Sequence, residues 1–136
     1  MKTLYFYTDL VEARRTIRSG VIYPRPNQPL SFWSDEAPYS IWLTTNSQLS
    51  QGLIRFAIRL PNDRAVPWLS WVAKHGYGPK DRLESLVAVT GGKVAARARR
   101  VSEHQITDHR WISVIDLFTG EKLWEPKGRR DTRGGV

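Results

Sequence analysis

The sequence predicts a single α+β domain in which a few short helices accompany mainly antiparallel strands. The chain has 136 residues, which is enough for one core and too few for two ordinary domains. Its segments rich in aromatic and β-branched residues are short and separated by glycine, proline and asparagine. Helical patterns do not alternate regularly with these segments, as a parallel sheet would require. We therefore expect one domain over residues 1–126 and a basic, disordered tail over 127–136.

The first elements have clear boundary signals. Residues 3–7 are β-branched and aromatic, which predicts a strand. Asp9 then predicts a helix N-cap, and Glu12 three residues later completes a capping box. The apolar positions of this helix are Leu10, Ala13 and Ile17. Gly20 predicts its end.

The remaining elements follow from periodicity and breakers. Three prolines predict an extended loop over residues 23–30, either one wall of a cleft or a plain connector. Strands are expected over 41–45, 53–60, 101–107, 111–118 and 122–124, with a turn at 119–120. A short helix or turn is expected over 66–74. A helix is expected over 81–89, ended by the glycine pair at 91–92.

The net charge favours a polyanionic partner. The chain carries 21 basic and 13 acidic residues, a formal charge of +8. Such a charge attracts nucleic acid, although it also serves solubility alone. The sequence has no cysteine, so disulfides and cysteine-based zinc sites are excluded. No apolar run approaches the ~20 residues of a membrane span, and no secretory signal is visible, so we expect a cytoplasmic protein without membrane partners.

Three short motifs resemble the opening of small ADP-ribosyltransferases of the histidine-tyrosine-glutamate type and of DNA-targeting toxins. Residues 5–8 are tyrosine-phenylalanine-tyrosine-threonine, residues 19–24 contain serine-glycine and then proline, and residues 42–44 are tryptophan-leucine-threonine. Phe6 stands where the family has a histidine, and Trp42 where it has a tyrosine. The resemblance implies a split-sheet fold and NAD as substrate. The implied cofactor-binding residues are Phe6, Tyr7, Thr8, Trp42 and Thr44.

The same resemblance implies that Glu103 is catalytic, because the family places one glutamate at the start of a late strand. Cleavage of the bond between nicotinamide and ribose develops positive charge on the sugar, which a carboxylate stabilises. The alternative is a solvent-facing strand glutamate paired with Arg99 or Arg100.

Seven arginines are candidates for binding a nucleic-acid backbone, and Arg14, Arg15, Arg55 and Arg59 among them are also candidates for binding the cofactor pyrophosphate. The seven are Arg14, Arg15, Arg55, Arg59, Arg97, Arg99 and Arg100. The predicted function is ADP-ribose transfer from NAD to a macromolecule, first of all DNA or RNA, in a toxin, effector or phage-defence role. A protein target or a cognate antitoxin is a further expected partner.

Two other functions remain open in the sequence. One is a nucleic-acid-binding module on the same fold that has lost transfer activity. The other is a nuclease that uses His104, Asp108 and His109. No metal is expected, because strand alternation would divide the candidate ligands between two faces.

Overall fold

The computed structural model describes residues 1–26, 39–48, 53–75, 84, 87–88 and 91–126. Its strands are β1 (Lys2–Thr8), β2 (Val21–Ile22), β3 (Ile41–Thr44), β4 (Ile54–Leu60), β5 (Val66–Pro67), β6 (Arg99–Ser102), β7 (Ile106–Thr107), β8 (Trp111–Asp116) and β9 (Lys122–Trp124). Its helices are α1 (Leu10–Ser19), α2 (Trp68–His75) and α3 (Gly92–Ala98). Short 3-10 turns cover Asn62–Arg64 and Asp108–Arg110.

The described strands form two antiparallel sheets. The larger sheet has seven strands in the order β5-β6-β3-β1-β4-β8-β9, and the smaller pairs β2 with β7. All recorded strand pairings are antiparallel. The predicted α+β class, with mainly antiparallel strands and short helices, is therefore confirmed.

Helix α1 begins and ends at the predicted residues. The Asp9 carboxylate accepts a hydrogen bond from the Glu12 backbone N–H at 2.8 Å, which stabilises the first turn. Gly20 has a left-handed φ of 76° and donates its N–H to Thr16 O at 2.8 Å. The Glu12 carboxylate does not complete a capping box, because it pairs with Arg15 and Arg25.

We expect Gly20→Ala to lower the free energy of unfolding by about 1–2 kcal/mol from backbone strain alone. An added Cβ would also lie 2.9 Å from Asp108 Oδ2. Gly120→Ala is the matched control, because Gly120 has a φ of 78° and nothing within 4 Å of the added Cβ. Urea denaturation should therefore show a larger loss for Gly20→Ala. Equal losses would mean that the Asp108 contact is relieved without cost.

Two buried clusters lie against the large sheet. The first includes Leu4, Ile54, Phe56 and Ile58 from the sheet together with Ala13 from α1. The alternation in β4 predicts the burial of Ile54, Phe56 and Ile58, but Ala57 on the other face is buried as well. The second cluster joins helices α2 and α3 to β6; its members are Trp68, Trp71, Val72, Ala96 and Val101, with Trp42 packed against it.

The predicted strand over 101–107 is wrong as one element. Ser102 Oγ donates to His104 O at 2.9 Å and accepts from His104 N at 3.2 Å, which fixes a turn after β6. The chain then leaves the large sheet, and β7 pairs with β2 in the small sheet. Glu103 consequently lies in the link between the two sheets, so strand alternation does not apply to it.

The glycine pair at 91–92 also has a different role from the predicted one. Gly91 has a φ of 112° and is the N-cap of α3, so the pair begins a helix. The basic run at 97–100 accordingly spans the end of α3 and the start of β6. The short helix or turn expected over 66–74 is a helix from residue 68, where α2 begins, whereas residues 66–67 form strand β5. The predicted tail over 127–136 and most of the predicted helix over 81–89 lie outside the described residues.

Among the helices of the described ranges, none combines the length and the apolar character needed to cross a membrane.

Candidate functional site

The candidate site is a cleft of about 290 Å³ where β1 and β3 separate. Every residue of β1 has a paired residue in β4. With β3, β1 shares one pair, Tyr5 and Thr44. The ends of the two strands beyond this pair line the cleft, and the segment after β2 forms its other wall. The lining residues are Phe6, Tyr7, Tyr23, Arg25, Pro26, Ser40, Ile41 and Trp42.

Two aromatic side chains of the cleft are held by the two buried clusters. The Phe6 ring contacts Phe56 edge to face, with centroids 5.8 Å apart. The Trp42 ring contacts Trp68 in the same way at 5.6 Å, and its indole N–H donates to Ser40 Oγ at 3.1 Å. Packing therefore fixes both rings before any ligand binds, which lowers the entropic cost of stacking on them.

The cofactor-binding residues predicted from the sequence are only partly brought together. Phe6, Tyr7 and Trp42 line the cleft, whereas Thr8 and Thr44 are not among its lining residues. The Thr44 hydroxyl accepts from Asn46 N at 3.1 Å, and the Tyr7 hydroxyl donates to Asn46 O at 2.8 Å. Both hydroxyls thus stabilise the turn after β3.

Glu103 lies next to the cleft through the strand register. The pairing of β3 with β6 ends at Ile41 and Ser102, so Ser40 and Glu103 are the first residues beyond it. Ser40 lines the cleft, and Glu103 is exposed in the turn that follows β6. This carboxylate is open to solvent, and Glu103 is not itself among the residues that line the cleft.

The two arginines considered as ion-pair partners of Glu103 make other contacts. Arg100 Nη1 donates to Arg97 O at 2.7 Å and to Arg99 O at 2.9 Å. The Arg99 guanidinium lies 5.1 Å from the centroid of the Trp68 ring, and burial lowers the pKa of Arg99. Arg100 therefore stabilises the junction of α3 and β6, and Arg99 links β6 to α2.

An arginine that the sequence did not single out forms part of the cleft wall. Arg25 exchanges two backbone hydrogen bonds with Ser40, at 3.1 and 3.0 Å. Its guanidinium forms an ion pair with Glu12, and Arg15 Nη1 lies 3.3 Å from the other oxygen of that carboxylate. The sequence did carry a signal for an extended wall at this position. Tyr23 and Arg25 each precede a proline, and residues before proline favour extended backbone.

The seven predicted phosphate-binding arginines do not form one patch. Arg14 and Arg15 lie on α1, Arg55 and Arg59 on β4, and the other three at the end of α3 and in β6. Arg55 lies over the Tyr5 ring at 5.4 Å and donates to Ser47 O at 2.7 Å, so it supports the turn after β3. Among the seven, Arg15 is the one linked to the cleft wall through Glu12.

The histidines offer no metal centre within the described ranges. His104 lies in the turn after β6, and His109 lies in the 3-10 turn before β8, where its Nδ1 is 2.5 Å from Thr107 Oγ1. No group of three or more candidate ligands occurs among the residues that the structure describes.

Comparisons with protein-family models, with curated proteins and with solved structures give no match for this chain. The functional argument therefore depends on the cleft and on the residues around it.

Proposed function

We propose that the chain transfers ADP-ribose from NAD to a nucleic acid. The observation that carries this proposal is the aromatic cleft between the separating ends of β1 and β3. Glu103 directly follows Ser102, the last residue of β6 that pairs with β3. The motif that suggested a transferase from the sequence contributes Phe6 and Tyr7 to this cleft, and Trp42 comes from the third motif. The split-sheet arrangement of the transferases is part of this proposal.

The cleft suits one end of a dinucleotide. Its volume of about 290 Å³ is near the lower limit of small-molecule sites, about 300–1,000 Å³. We expect the nicotinamide ring and its ribose to enter it and the adenosine to remain outside. Phe6 and Trp42 lie on opposite faces of the sheet by the register of Tyr5 with Thr44, so each offers its own ring surface for stacking. Arg25 at the wall offers a guanidinium to the pyrophosphate.

Glu103 would act on the ribose at the mouth of the cleft. When the glycosidic bond breaks, nicotinamide leaves with the bonding electron pair and positive charge develops on the sugar. A carboxylate stabilises this charge, and it can accept the proton that the acceptor nucleophile loses on bonding to the ribose carbon. No other cofactor or metal enters this step.

The proposed acceptor follows from the charge. Strands β1, β3, β4 and β6 contain Lys2, Arg55, Arg59, Arg99 and Arg100, and none of these four strands contains an aspartate or glutamate. Together with the formal charge of +8, this distribution favours a polyanion as the acceptor. A toxin, effector or phage-defence role, acting in a cytoplasm and countered by a cognate antitoxin, belongs to this proposal.

The cheapest test is to incubate the purified chain with labelled NAD and either oligonucleotides or total cell protein. Label on the oligonucleotide supports the proposal. Label on protein alone would move the acceptor to a different class, and metal-dependent cleavage of the oligonucleotide would favour the nuclease.

A nucleic-acid-binding module without transferase activity is the second candidate, and Phe6 favours it. A phenylalanine offers no hydrogen bond to a ribose, whereas a histidine does. We expect Phe6→Ala to weaken NAD binding about tenfold, since stacking on an aromatic ring contributes about 1–3 kcal/mol. Phe6→His keeps a ring and adds a hydrogen bond, so it should bind NAD at least as well as the wild type.

Calorimetric titration of NAD into the wild type and both variants checks this prediction. Phe118→Ala serves as the control, because Phe118 is an exposed aromatic in the turn after β8 and away from the cleft lining. If none of these folded proteins gives heat with NAD, the binding module replaces the transferase.

A further inference from the structure

Two exposed tyrosines flank the cleft wall. The exposed fraction is 56% for Tyr23 and 61% for Tyr39. They lie on opposite sides of the bridge between Arg25 and Ser40, because Tyr23 precedes Arg25 by two residues and Tyr39 directly precedes Ser40. The bridge has two backbone hydrogen bonds, so it fixes the chain that carries both rings.

The charges around this bridge are mixed, with a positive balance. Glu12 is shared by Arg15 and Arg25, which gives two guanidinium groups for one carboxylate. The exposed fractions of the two arginine side chains are 71% and 54%. Both therefore have solvent-facing donors for a phosphate beyond those that the carboxylate occupies.

We propose that this rim of the cleft binds single-stranded nucleic acid, with unstacked bases on Tyr23 and Tyr39 and a phosphate at Arg15. Aromatic rings bind any base through its face, but only a base that has left a duplex stack presents that face. A single strand therefore fits the rim better than a duplex. This inference rests on the proposed function, since it identifies how the acceptor reaches the cleft that Tyr23 also lines.

The test measures binding without NAD, so it does not depend on transfer. Fluorescence anisotropy with a labelled single strand of about 12 nucleotides, within the usual site sizes, should show saturable binding by the wild type. Replacing both tyrosines, Tyr23→Ala with Tyr39→Ala, should weaken it at least tenfold. Phe118→Ala removes an aromatic that is 79% exposed and should change the affinity less than twofold.

A conservative pair separates stacking from a folding defect. Tyr23→Phe with Tyr39→Phe keeps both rings, so it should retain the affinity and the quenching of a 2-aminopurine base that stacking causes. The alanine pair should lose that quenching while its circular dichroism stays unchanged. Retained quenching in the alanine pair would overturn the assignment of the bases to these rings.

A charge-matched pair tests the phosphate contact. Arg15→Gln should reduce the slope of log affinity against log salt by about one unit. Lys93→Gln removes an exposed charge on α3 and should leave the slope unchanged. Equal slopes for the two variants would overturn the phosphate contact at Arg15.

Three results would overturn the inference as a whole: no binding of the single strand by the wild type, binding of a duplex by the wild type at equal affinity, or unchanged binding by the alanine pair. Binding by the rim without transfer of label would instead contradict the proposed function alone. Transfer of label to an oligonucleotide by the wild type, together with unchanged binding by the alanine pair, would contradict this inference alone.

Discussion

Glu103→Gln is expected to lower the rate of NAD-dependent labelling of an oligonucleotide by about a hundredfold to a thousandfold. The amide keeps the shape of the side chain but removes the charge that stabilises the developing positive charge on the ribose, and loss of one such electrostatic contact typically costs this factor. The effect should appear in the single-turnover rate, because the missing interaction forms in the transition state. Binding of NAD, measured by calorimetry, should change little.

Glu121→Gln is the matched control for this variant. Glu121 is an exposed glutamate between β8 and β9 and is not among the residues that line the cleft. Glu121→Gln therefore changes the net charge of the protein as much as Glu103→Gln does. Its labelling rate and oligonucleotide affinity should equal those of the wild type. Full activity in Glu103→Gln, or an equal loss in both variants, would remove Glu103 from the proposed mechanism.

Glu103 also shows why the site was harder to predict than the sheet. The alternation of Ile54, Phe56 and Ile58 with Arg55, Ala57 and Arg59 predicts a half-buried strand. The structure follows this pattern except at Ala57, which is buried as well. The turn at Glu103 depends on the Ser102 side chain bonding to the His104 backbone. Such a local bond has no periodic signal, so residues 101–107 resemble one strand.

The sequence predicts the two strands that line the cleft, but it does not predict the segment that forms the cleft's other wall. Phe6, Tyr7 and Trp42 lie in β1 and β3, and the aromatic and β-branched composition of these segments predicts strands. Tyr23 and Arg25 enter the cleft wall through the bridge of Arg25 to Ser40. That pairing joins segments distant in sequence, and proline-rich stretches give no register by which to predict it.

The structure also links the cleft to the centre of the core through aromatic contacts. Phe6 contacts Phe56, Phe56 contacts Trp111 at 5.1 Å, and Trp111 contacts Trp124 at 5.2 Å. Each pair meets edge to face, an arrangement that contributes about 0.5–1.5 kcal/mol beyond the burial of area. The position of the Phe6 ring in the cleft therefore depends on a residue that no ligand touches.

Phe56→Ala should consequently produce the largest loss of stability among the variants considered. Phe56 has 0% exposed surface and lies on β4, which pairs with both β1 and β8. Truncation of a buried phenylalanine costs about 3–5 kcal/mol, through lost burial and the cavity left behind. Urea denaturation should show this loss, against a change within about 0.5 kcal/mol for the exposed Phe118→Ala.

The same variant should weaken NAD binding, because Phe6 loses the edge-to-face contact that holds its ring against the cleft. This effect is separated from unfolding by measuring NAD binding calorimetrically in buffer without urea. The temperature is one at which circular dichroism shows that Phe56→Ala remains folded. Phe56→Leu refills much of the cavity but restores no aromatic contact, so it should recover stability more than NAD affinity. If the two recover in parallel, the Phe56 ring matters to the cleft only through the volume it fills, and the aromatic contact to Phe6 has no part in positioning the ligand.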